Sequence, residues 1–248
     1  MSSRSATAST NFGIGTLVPI TPDIAAAEAA IVEMTNVFRA ENKLPPVRSN
    51  ATLQAAARAY AKKLGKFDAL SHTADGTTPA ERIAKVGYRY CQVGENLASI
   101  LDTRGFDADD YARRAVQGWE ESPGHRKNMV LPYVTEIGVA VARASATEPK
   151  YIAVQLFGRP DSTKYTFKIT NKSGRDVPYA FEEEANTVTP NEVITHTACL
   201  PGTIEFDTGN KTGAVSRYET RGGQVFTVRP GVAGAVTVEV KQAPLPAK

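Results

Sequence analysis

The sequence is poor in most of the residue types that would point quickly to a function. Its 248 residues include two cysteines, three histidines, one tryptophan and three methionines. Two cysteines exclude a small scaffold held together by many disulfides. No apolar run approaches the ~20 residues that cross a bilayer, since the longest, IGVAVA, covers residues 137–142, so no transmembrane segment is expected. The opening MSSRSATASTNFGIGTL lacks the continuous apolar core of a secretory signal, and no signal peptide is visible. Charge of one sign is also lacking. Lys and Arg number 29 against 26 Asp and Glu, a net +3, and no nucleic-acid partner is expected from so weak a field. There is no GxSxG elbow, HExxH pair, phosphate-binding P-loop or glycine fingerprint after a strand.

What remains is an ordinary globular composition, 42% hydrophobic and 22% charged, in a chain long enough for one large or two modest domains. Residues 1–20 are rich in Ser, Thr, Ala and Gly without periodicity and read as a flexible tail. Thr21-Pro22-Asp23 then supplies a helix start, and Ile24, Ala27, Ile31, Met34 and Phe38 recur at spacings of three and four. Pro45-Pro46 ends that helix. A second helix is expected after Asn50, and a third from the capping box Thr78-Pro79-Ala80-Glu81. A fourth is expected from Asp107 to Trp119, followed by Val- and Ile-rich strands at 135–142 and 151–157. From Lys164 the pattern alternates, with Tyr165, Phe167 and Ile169 on one face and turn residues at short intervals, as in a small all-β sandwich. The expected organisation is α+β: a tail at 1–20, a helix-and-sheet domain at 21–160 and a β-sandwich domain at 161–248.

Three segments carry the residues with chemistry: His72 in SHTADG, Glu95 in GENLA and His125 in SPGHR. Two imidazoles and a carboxylate brought together suit Zn²⁺ and leave a position for an activated water. The spacing does not show that they meet. The plainer alternative is loop histidines with Glu95 bonded to backbone amides and Asn96 capping a helix. Trp119 and Tyr111 read as core, Arg39 as the partner of an acid or the tether of a loop, and His196 as a strand-surface residue. Glu182-Glu183-Glu184 reads as a solvated turn. Cys91 and Cys199 are either one bridge fastening the two domains, which suits an oxidising compartment, or two buried thiols.

Five segments in order, AEAAIVEMTNVFRAENKLPPV, LSHTADGTTPAERIAKVGY, GENLAS, GWEESPGHRKNMVLPYVTEIGVAVA and YIAVQLFG, resemble the bacterial branch of the CAP superfamily. These are the SCP-like domains related to cysteine-rich secretory proteins, antigen 5 and plant PR-1. The resemblance covers residues 23–158 and implies an α-β-α sandwich with a central cleft, in an extracytoplasmic protein, secreted or periplasmic. It also implies a cleft tetrad of two histidines and two acids that binds divalent cations. By motif, that assigns His72, Glu95 and His125, while the fourth position is Ser122, so any zinc or other divalent cation is expected to bind weakly through His72, His125 and Glu95. Glu121, next in sequence, points about 100° away on a helix. The expected function is binding, in a cleft of His72, Glu95, Ser122 and His125, of a cation or a small hydrophobic or lipid ligand. The alternatives are a metal-assisted hydrolase or peptidase using the same residues as its catalytic candidates, and a structural or adhesive protein. In the last case the β domain would dock a protein or a cell-surface polymer.

Overall fold

The structure is a computed structural model that describes residues 19–67, 70–209, 213 and 215–242. The tail expected at 1–20 lies outside the described residues, apart from its last two. In the first half, α1 (Ile24–Glu41) is capped by the Asp23 side chain, which accepts from Ala26 N at 3.1 Å. The two-residue strand β1 (Arg48–Ser49) leads to α2 (Ala51–Leu64), whose first turn is held by Asn50 Oδ1. Helix α3 (Pro79–Lys85) has the reciprocal Thr78–Glu81 capping box, and α4 (Ala108–Glu121) is capped by Asp107. A short α5 (Pro123–Met129), which periodicity did not suggest, takes its first-turn geometry from Pro123.

Strands β2 (Tyr90–Leu101), β3 (Glu136–Arg143) and β4 (Lys150–Pro160) join β1 in a sheet of order β1-β3-β4-β2. The long pairings are antiparallel, and β1 meets β3 in parallel. Alternate residues of β4 enter two different cores. Tyr151, Ala153 and Phe157 pack with Ile31, Tyr111 and Trp119 of α1 and α4, while Ile152, Val154 and Leu156 pack with Leu53, Tyr60 and Leu64 of α2. A sheet covered on both faces buries both sets of side chains, which is why β4 reads as a continuous apolar run. Gly138 on β3 allows α2 to lie against the sheet, because a Cβ there would collide with the backbone of Leu53 and Gln54. The arrangement is the expected α-β-α sandwich. Among the described residues, no helix is long and apolar enough to cross a membrane.

The second half is all-β: β5 (Tyr165–Asn171), β6 (Val177–Phe181), β7 (Glu184–Val188), β8 (Val193–Ala198), β9 (Thr203–Asp207), β10 (Val215–Glu219), β11 (Gln224–Pro230) and β12 (Val236–Gln242). They form two four-stranded sheets, β10-β9-β6-β7 and β12-β11-β5-β8, that share one core of Phe167, Ile169, Tyr179, Phe206, Phe226 and Val228. Glu182 and Glu183 form the turn between β6 and β7.

Two local readings are corrected, and a third is resolved between its two alternatives. The GEN segment lies in strand β2, so Asn96 caps no helix. Of the two readings of Arg39, the loop tether holds: it is fully buried and donates to the carbonyls of Pro45, Met129 and Leu131, fastening the loop after α5. His196 is not a surface residue. Its ring stacks on Phe167 at 5.0 Å, and Nε2 lies 2.8 Å from Tyr179 Oη.

The halves are joined covalently. Cys91, on β2, is bridged to Cys199, between β8 and β9, with Cα atoms 5.3 Å apart. Beside the bridge, Arg159 Nε donates to Cys199 O at 2.9 Å and Nη1 donates to Tyr133 O at 3.1 Å.

Candidate functional site

Strand β2 is an edge strand of the first sheet. Successive side chains of a strand point to opposite faces, so Glu95 and Asn96 serve different layers. Glu95 turns toward α3 and the loop carrying His72. Asn96 turns the other way, donating through Nδ2 to His125 O at 3.1 Å and to Gln155 Oε1 at 2.9 Å. Asn128 on α5 bonds both residues, giving its Nδ2 to Glu95 O and to Asn96 Oδ1. The polar chain continues inward from Gln155 Nε2 to Thr35 Oγ1 at 2.9 Å, then from Thr35 Oγ1 to Ile31 O at 2.7 Å. Buried polar groups persist when they are satisfied in this way, and the chain fixes β2 against α1 and α5.

Arg82 is the main partner of Glu95. The Glu95 side chain is 2% exposed and that of Arg82 is 9% exposed. Arg82 Nη2 lies 2.7 Å from Oε2 and 3.0 Å from Oε1 of Glu95. Its Nη1 donates to the carbonyls of Thr77 and His72 at 2.6 and 3.0 Å. The guanidinium also lies 3.4 Å from the centre of the Tyr60 ring, a cation–π contact. Tyr60 Oη donates to Ser71 O and accepts from Ala74 N, and burial pushes its pKa up. Burial works against ionisation of Asp75. Hydrogen bonds from Lys63 and Thr77 outweigh it and hold this carboxyl well below the usual range.

His72 Nδ1 lies 2.8 Å from Glu95 Oε1. An ionised carboxylate only accepts, so His72 Nδ1 is the donor. His125, three residues after Ser122, is half-buried. Burial first, and the proximity of His72 second, lower its pKa. Ser122 joins α4 to α5 and makes no side-chain capping bond. Glu121 is engaged by Gln117 and lines a groove between α1 and α4, so it does not stand in for the fourth acid. That groove, about 450 Å³, has Met34, Val37, Phe38 and Val116 among its lining residues.

The structure thus brings His72 and Glu95 into contact and His125 within electrostatic reach, while Ser122 sits at the head of the same short helix. The donor set does not fit a resident zinc ion. Both Glu95 oxygens are taken by Arg82, one of them also by His72, and a serine stands where a second acid is needed. Among the described residues, no three His, Cys, Asp or Glu side chains form a group able to hold a metal. Sequence reasoning missed Arg82, Tyr60, Asn128 and Gln155.

Helices on both faces of a small sheet, with a histidine–carboxylate pair at its edge, define the class of protein that the sequence motifs resemble. A family model described as the Cysteine-rich secretory protein family (CAP) matches residues 32–157, and the chain belongs to that family. It is 29% identical over 124 residues to the uncharacterized protein YkwD of Bacillus subtilis, covering 50% of this chain and 45% of that one. It is 33% identical over 108 residues to an uncharacterized protein of Borreliella burgdorferi, covering 44% of this chain and 63% of that one. The matches thus span about half the length of these curated relatives. Among solved structures, an outer surface protein from Borrelia burgdorferi is similar over 54% of this chain and 93% of its own, at 27% identity and a TM-score of 0.47. An extracellular SCP-domain protein from Bacillus anthracis is similar over 55% of this chain and 41% of its own, at 24% identity and a TM-score of 0.45.

Proposed function

We propose that the chain is an extracytoplasmic binding protein whose SCP-like half takes a small hydrophobic ligand, and that the His72–Glu95–His125 cleft acts as a polar rim rather than as a hydrolytic centre. The observation that carries this reading is the capture of Glu95. A general base must be free to accept a proton and a metal ligand must be free to coordinate, but Glu95 is buried and both its oxygens are already engaged by Arg82, one of them by His72 as well. A separate groove between α1 and α4 offers apolar side chains from Met34, Val37, Phe38 and Val116, with Arg113 among the polar residues beside them. The Cys91–Cys199 bridge supports an oxidising, extracytoplasmic location.

The test is calorimetric titration of the folded, chelator-treated protein with dodecanoate and with ZnCl₂. It is run on the wild type, on Val37→Asp in the groove and on the His72→Ala/His125→Ala double variant. Dodecanoate binding is expected to be lost in Val37→Asp and kept in the double variant, with no histidine-dependent stoichiometric zinc isotherm. A stoichiometric zinc isotherm abolished in the double variant would overturn this reading and restore the metal-assisted one.

A further inference from the structure

We propose that the junction between the two halves holds a second binding site, which takes a neutral saccharide. It is separate from both the cleft and the α1–α4 groove. A pocket of about 480 Å³ opens where the loop before β3 meets the start of β9 and the end of β10. Its size falls within the ~300–1,000 Å³ usual for small-molecule sites. One wall is Tyr133 from the SCP-like half, and the other is Thr203, Glu219 and Arg221 from the β-sandwich.

The walls are fixed in advance. Arg159 bonds the carbonyl of Tyr133 on one side and that of Cys199 on the other, so one guanidinium holds both. The Cys91–Cys199 bridge secures the same point covalently. Thr220 lies at the base, buried, with Oγ1 bonded to both the N–H and the carbonyl of Gly202 and 2.8 Å from Tyr165 Oη. A site with fixed walls loses little conformational entropy when a ligand enters.

The lining selects the ligand chemistry. Arg221 Nη2 and Glu219 Oε2 are 3.0 Å apart and both side chains are largely exposed, so the site presents donors and acceptors side by side with no net charge. Cancelled charge disfavours phosphates and free cations, whereas a carboxylate beside a guanidinium complements vicinal hydroxyls, which both donate and accept. Tyr133, 36% exposed, offers an aromatic face for the C–H side of a pyranose, and the Thr203 hydroxyl adds a further polar contact. An aromatic face beside a neutral polar pair matches a sugar better than a lipid or a nucleotide.

The test uses the full oxidised chain titrated separately with cellotetraose, maltotetraose and N,N′,N″,N‴-tetraacetylchitotetraose, followed by calorimetry and by NMR shifts. At least one tetrasaccharide is expected to bind with 1:1 stoichiometry. Affinity should fall at least tenfold in Tyr133→Ala and in Arg221→Ala, both with unchanged thermal midpoints, and should also fall on reduction with a dithiol. His72→Ala and Val37→Asp should bind the sugar normally, which separates this site from the function proposed above. The proposal is overturned if none of the three sugars binds, if binding survives both pocket variants, or if a decaproline peptide binds there and the sugars do not.

Discussion

Glu95 carries its charge into the interior, which a protein tolerates only when that charge is paired and its lone pairs are filled. Arg82 meets both conditions and also fastens the His72 loop through two backbone carbonyls. Arg82→Met removes the cation and leaves the carboxylate buried and unpaired, so urea unfolding should show a loss of about 3–5 kcal/mol, the range for breaking a buried pair from one side. Glu95→Gln keeps a neutral hydrogen-bonding group in place and should cost less. If Arg82→Met costs under ~1 kcal/mol, the pair is screened by solvent and Glu95 is available for chemistry after all. Of this site, the motif residues His72, Glu95 and His125 were legible in the sequence because each sits in a distinctive polar segment. Arg82, Asn128 and Gln155 were not, because Arg82 reaches Glu95 across 13 positions, Asn128 reaches Glu95 across 33, and Gln155 reaches Asn96 and Thr35 across 59 and 120, and only the fold brings them together.

Elements set by local chemistry were the easiest to read. Asn50 and Thr78 cap the helices that follow, as their positions indicated, while the first helix starts two residues later than Thr21-Pro22 suggested, with Asp23 as its cap, and Asp107 caps the fourth. Strand β2 was not legible, since GENLA has no clean alternation: the strand buries side chains on both faces over Glu95, Asn96 and Leu97. Strand β8 did alternate, but the pattern gave no sign that His196 is on the inward side, because a histidine is not counted as apolar. There it faces Phe167, Tyr179 and Phe181, and burial lowers its pKa while the Glu184 charge partly opposes the shift. The fold therefore prefers neutral His196. Its contribution is fully present above the unfolded value of about 6.5 and is lost as pH falls below it, when the unfolded chain takes up the proton more readily. Thermal unfolding at pH 7 and pH 5 should show the β-sandwich losing stability in acid, and His196→Phe should flatten that dependence. An equally steep dependence in His196→Phe would place the acid sensitivity elsewhere.

At the scale of the molecule, two cores of different architecture meet at one short linker, one disulfide and the Arg159 contacts. The bridge closes a sequence separation of 108 residues, for which chain-entropy estimates give about 4.7 kcal/mol of destabilisation of the unfolded state. Calorimetry of the Cys91→Ser/Cys199→Ser variant should show a lower midpoint and a single transition separating into two, because each half has its own core. A single unchanged transition would mean that the non-covalent contacts alone couple the halves.

Synthesis runs from the amino end, so Cys91 leaves the ribosome well before its partner. The strand that carries it pairs with β4, which is complete at Pro160, while Cys199 is still to come. For that interval the chain has a sheet able to form and a lone thiol at its edge, with no second cysteine of its own to pair with. Its only oxidation partners then are other molecules, including other nascent copies. Oxidation that outpaces elongation or export therefore yields linked chains instead of the native bridge, and the order of the two cysteines makes the timing of oxidation part of how this protein is made.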